Sequence, residues 1–128
     1  MFKVYAVEDK EKQKQVCEVC GTDFIPDTFA YAAYDVVSPD DDNGDIIAIC
    51  QFSFIGKCHI SCLSPADGRS DDEAVLILGF AVLEFLRRCG FTSVTADIPK
   101  EYAYRLGFMA KDDVFTLDLT TGRACGGH

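Results

Sequence analysis

Cationic side chains are scarce in this chain: 12 Lys and Arg stand against 21 Asp and Glu in 128 residues, a formal charge of −9. Affinity for nucleic acid rests mainly on Lys and Arg neutralising phosphates, so no nucleic-acid partner is expected, and cationic ligands are mildly favoured. No secretory leader is expected either, because Met1-Phe2-Lys3-Val4-Tyr5 contains no basic region followed by an apolar core. Long hydrophobic runs are absent as well. The longest, Ala74 to Leu83, is too short to span a bilayer, so no membrane segment is expected. The seven cysteines are odd in number, and without a leader they suit a reducing, cytoplasmic compartment better than a disulfide framework.

What is present is a core. Hydrophobic residues make up 48% of the chain, which suits one domain over residues 1–128 with an irregular tail at 120–128. Phe2 to Val7 alternates as a strand, and Glu8 to Cys20 is a charged segment with an apolar end that Gly21 would stop. Thr28 to Val37 and Asp45 to Ile55 are strand-like runs joined through Asn43-Gly44, a strong hairpin signal. A third run, Cys58 to Leu63, extends the meander after the Gly56-Lys57 turn. The acidic turn Asp40-Asp41-Asp42 fails the spacing of a calcium loop, since Pro39 and Cys50 stand where the first and last carboxylates belong.

Ser70-Asp71-Asp72-Glu73 matches a capping box, in which the Ser hydroxyl and the Glu carboxylate satisfy orphan amides at a helix start. From Ala74 to Leu86 almost every face is apolar, so this helix must lie across the centre of the sheet. Ser93 to Asp97 is a short strand and Pro99 a favoured first helical residue. Leu106-Gly107-Phe108 ends a last helix, and Val114 to Leu119 alternates with Phe115, Leu117 and Leu119 on one face.

This order of elements, with Leu63-Ser64-Pro65 after the meander and Tyr104-Arg105-Leu106-Gly107-Phe108 closing the last helix, resembles the GCN5-related N-acetyltransferase (GNAT) family over nearly the whole chain. The resemblance implies an α/β (α+β) fold, a central mixed and mostly antiparallel sheet flanked by helices. It also implies transfer of an acetyl or acyl group from acyl-CoA to an amine on a small molecule or a protein. In that family the end of the fourth strand, here Leu63 and Ser64, lies along acetyl-CoA. A pattern R-x-x-G-x-G/A then binds its pyrophosphate through backbone amides. Laid on this chain the pattern runs from Arg69 through Ser70, Asp71, Asp72 and Glu73 to Ala74, and Asp72 replaces the central glycine. A tyrosine in the last helix often serves as the acid in this family. That position holds Ala103, flanked by Tyr102 and Tyr104 as candidates. The alternative is a catalytically silent relative used for ligand sensing or protein association, and a homodimer is compatible with either.

Two readings come from the residues themselves. His59 is the only internal histidine, and its ordinary pKa suits it to act as a base near neutrality. Cys17-x-x-Cys20 and Cys125-x-x-His128 together supply three thiolates and an imidazole, a set that structural zinc accepts if the tail folds back onto the first helix.

Overall fold

The computed structural model describes residues 2–37, 44–68 and 71–120. Strand β1 (Phe2–Val7) leads to helix α1 (Lys10–Cys20), then β2 (Phe29–Asp35), β3 (Asp45–Ser53) and β4 (His59–Pro65). Helix α2 (Asp72–Arg88) is followed by β5 (Ser93–Ala96), α3 (Lys100–Leu106), β6 (Met109–Lys111) and β7 (Val114–Asp118). The seven strands form one mixed sheet in the order β1-β2-β3-β4-β5-β7-β6. Its one parallel pairing joins β4 to β5, and the other pairings are antiparallel. Among the described residues no helix is long and apolar enough to cross a membrane.

Strand β3 is central and covered on both faces, which explains its nearly unbroken apolar reading: residues 47–52 are all buried. Cys50 and Phe52 join the core under α2, while Ile49 joins a second core under α1. Helix α1 starts where Asp9 Oδ1 accepts from the Lys12 amide at 2.7 Å. It buries Gln13, Val16, Cys17 and Cys20, the i, i+3, i+4, i+7 stripe of an amphipathic helix. It ends at Gly21, whose φ of 63° lies in the left-handed region and whose amide returns to the last helical carbonyls.

Helix α2 buries Ala74, Val75, Leu78, Gly79, Val82 and Leu86 against the opposite face of the sheet. Gly79 allows α3 to approach: a Cβ placed there would stand 2.9 Å from Leu106 Cδ1 and 3.4 Å from Leu63 Cδ2. Three details differ from the sequence expectation. The α2 cap is Asp71, whose Oδ1 accepts from the Ala74 amide at 3.1 Å, so the helix starts one residue later than a Ser70 cap would place it. Pro99 is the residue before α3 rather than its first turn. Strand β6 is an added element, joined to β7 by Asp112 and Asp113, both at positive φ.

Candidate functional site

The site is created by a mismatch in strand length. Strand β4 pairs with β5 only at His59↔Thr95 and Ile60↔Ala96. It then continues to Pro65 paired with β3 alone, through a bulge that leaves Ser61 out of register. Beyond Ile60, therefore, one edge of β4 has no ladder partner among the described residues. Helix α3, held at that end by the Gly79–Leu106 approach, faces the open edge across a cavity of about 410 Å³. Leu63, Ser64 and Pro65 form the strand side, Pro99, Glu101, Tyr102 and Arg105 the α3 side, and Asp72 the α2 side.

One hydrogen bond spans the cavity mouth: Tyr102 Oη donates to Asp72 Oδ1 at 3.0 Å. Burial, and then this bond to a carboxylate, push the Tyr102 phenol above its ordinary value, so it stays protonated at neutral pH and can donate. Ala103, the next residue, is fully buried and faces the core. Tyr104 lies on another side of α3, exposed, with its ring edge-on to Phe115. Of the candidate cofactor residues, Leu63, Ser64 and Asp72 come together at the cavity. Ala74 is buried behind it, its amide taken by Asp71. Arg69 and Ser70 lie outside the described residues. The sequence reading passed over Pro65, Pro99, Glu101 and Arg105 as lining residues. The spacing of Glu101, Tyr102 and Arg105, which shares one helical face, was the signal that could have found them.

His59 is not among the cavity residues. It sits at the last paired stretch of β4 before the strands part, with Nδ1 2.6 Å from Thr95 Oγ1. Burial and then nearby Lys57 lower its pKa against the opposing pull of Asp97, so the ring is neutral at pH 7.

Cys17 and Cys20 are both buried in the α1 core, with Cys62 packed beside them. Burial, followed by their thiol neighbours, pushes Cys17 up to about 11 and Cys20 up to about 12. Among the described residues no group of three or more His, Cys, Asp and Glu is placed to hold a metal ion. Cys125 and His128 lie outside the described residues.

The same architecture occurs in solved structures. The PaiA N-acetyltransferase of Thermoplasma acidophilum in complex with coenzyme A superposes with a TM-score of 0.70 at 10% identity, over 92% of this chain and 99% of that one. The GCN5-related (GNAT) acetyltransferase fold is the fold of this chain. The ribosomal-protein-S18-alanine N-acetyltransferase of Escherichia coli matches this GNAT fold with a TM-score of 0.70 at 8% identity, covering 93% and 94%. A GNAT family acetyltransferase from Brucella melitensis in complex with acetyl-CoA reaches 0.66 at 16% identity, covering 92% and 88%. No family model matches the sequence, and no curated protein matches it.

The fit of acyl-CoA to this version of the GNAT fold divides at α2. The open edge of β4 and the apolar Leu63, Pro65 and Pro99 suit a slender arm carrying amides and a thioester. The start of α2 does not suit a diphosphate. Asp71 already caps the helix, and Asp72 points its carboxylate to the cavity mouth.

Proposed function

We propose that this protein is an N-acyltransferase that moves an acyl group from a thioester of the acyl-CoA type to an amine. The carrying observation is the cavity between the unpaired end of β4 and α3, with Tyr102 at its mouth, in a chain of GNAT fold. The strand edge offers backbone amides and carbonyls that can orient the arm and polarise the thioester carbonyl. The amine nitrogen attacks that carbon; the new C–N bond forms, the C–S bond breaks, and the thiolate takes the Tyr102 proton. The proposed base is a carboxylate of the cavity lining, Asp72 or Glu101, which receives the proton the amine sheds, since His59 lies outside that lining. Tyr104, edge-on to Phe115, is assigned to packing.

The charge of −9 supports a cationic amine on a small molecule or a protein and weighs against nucleic acid. The odd count of seven cysteines supports a reducing, cytoplasmic setting over a disulfide framework. The test is thermal stability with and without acetyl-CoA, together with thiol release over a panel of amines. A ligand at about 100 times its Kd adds roughly 2.7 kcal/mol, so a clear upward shift is expected, with turnover falling at least tenfold in Tyr102→Phe. No shift and no thiol release at millimolar donor would sink this reading.

A further inference from the structure

The start of α2 carries the chain's own negative charge, while the β4 edge beside it has no ladder partner among the described residues. A helix begins with four amides that lack helical partners, and an anion can take them. Of these the Ala74 amide is bonded to Asp71 Oδ1 at 3.1 Å, while the Val75 amide is the first with a helical partner, the Asp71 carbonyl at 3.2 Å. A diphosphate would displace a carboxylate already in place. It would also meet the Asp72 carboxylate, which Tyr102 Oη holds at the cavity from 3.0 Å. Glu73 adds a third acidic group to the same turn. Of the described residues that line the cavity, Arg105 is the only cation, and it shares α3 with the carboxylate of Glu101.

From this contrast we infer that the site recognises its acyl donor by the pantetheine arm and draws little or no affinity from the diphosphate, so that simple acyl-pantetheine thioesters are donors comparable to acyl-CoA. The inference rests on the acyltransferase reading above and specifies its substrate class. Arm and diphosphate are separable ligands of this protein, because the β4 edge and the α2 start are different surfaces. Charge then works in a characteristic direction. Attraction between a diphosphate and cationic groups weakens as salt rises, whereas repulsion by Asp71, Asp72 and Glu73 is relieved by it.

The experiment measures binding of reduced CoA and of pantetheine to the full chain by calorimetry, at low and at high salt, in the wild type and in Asp71→Asn and Asp72→Asn. Asparagine preserves capping ability and shape while removing one charge at each position. The expected result is a CoA affinity within about tenfold of that for pantetheine, unchanged or improved by salt. The CoA-to-pantetheine affinity ratio should rise by about tenfold when the two aspartates are neutralised together. A larger CoA preference in the wild type that falls with salt overturns the inference, whichever residue supplies the grip, and leaves the acyltransferase reading standing. A ratio unmoved by neutralisation overturns it as well. If neither CoA nor pantetheine binds at millimolar concentration, both the inference and the acyltransferase reading fail.

Discussion

The two faces of the sheet are closed by different chemistry. On the α1 face a buried polar network joins the small apolar core of Val16, Cys17, Cys20 and Ile49: Gln51 Oε1 accepts from Gln13 Nε2 at 2.9 Å and from the Ile25 amide at 3.0 Å. Gln51 Nε2 donates to the Asp23 carbonyl at 2.8 Å. Gln13 Nε2 also reaches Thr28 Oγ1 at 3.0 Å, and that hydroxyl donates to the Ile25 carbonyl at 2.7 Å. On the α2 face the closing residues are apolar, running from Ala74 to Leu86 and ending in the Tyr31, Phe52, Phe54 and Phe85 ring cluster. A polar network demands one arrangement, since each unmet partner is costly. An apolar face tolerates an opening at its other end, beside Asp72, and there the cavity lies. The lesson is that the specified side carries the frame and the permissive side carries the cavity.

The contrast can be broken most forcefully in the apolar face. Leu78→Ala, at a fully buried position, is expected to cost about 4 kcal/mol in urea unfolding, from lost transfer and a residual cavity. Gln51→Ala comes next, at about 3 kcal/mol, because Gln13 Nε2, the Ile25 amide and the Asp23 carbonyl lose their partner together. If the faces are separate in function, that variant retains its affinity for ligands of the cavity under native conditions. A cost below about 1 kcal/mol would show the network to be incidental. Gly79→Val tests the link between the faces and the site. Overpacking against Leu106 should cost about 2 kcal/mol and weaken cavity binding together with stability.

Smaller effects sharpen the picture at single groups. The folded pKa of His59 is lowered, so below about pH 6.5 the unfolded chain binds the proton more readily than the folded one. Its contribution to stability is therefore complete above that pH and is lost as the pH falls through 6.5 towards the folded pKa. His59→Gln should flatten that part of a stability-versus-pH curve. The smallest effect is chemical: at pH 8 an alkylating reagent should label exposed Cys89 well before buried Cys17 and Cys20, as mass mapping would show.

Much of the frame was legible because it is local. Strand β1, the β2 to β4 meander, the two long helices and the left-handed stop at Gly21 follow from alternation, apolar stripes and one glycine. The α2 cap was read one residue early because Ser70 and Asp71 both have capping side chains, and the spacing to Glu73 favoured the first. Strand β6 escaped because it is three residues long and exposed throughout, with an Asp-Asp turn as its only mark. The site was half legible. Leu63, Ser64, Asp72 and Tyr102 were named from the resemblance, but their meeting depends on how far β4 outruns β5, which is a pairing between distant segments and leaves no local pattern.

The Gln51 network also has a consequence in time. The segment from Thr22 to Ile25 has no regular structure, yet the Ile25 amide ends on a side chain that is wholly buried. Its hydrogen exchanges with solvent when the contact between this segment and Gln51 of β3 opens. Hydrogen exchange should therefore find, within an irregular stretch, one amide as slow as those of the central strand.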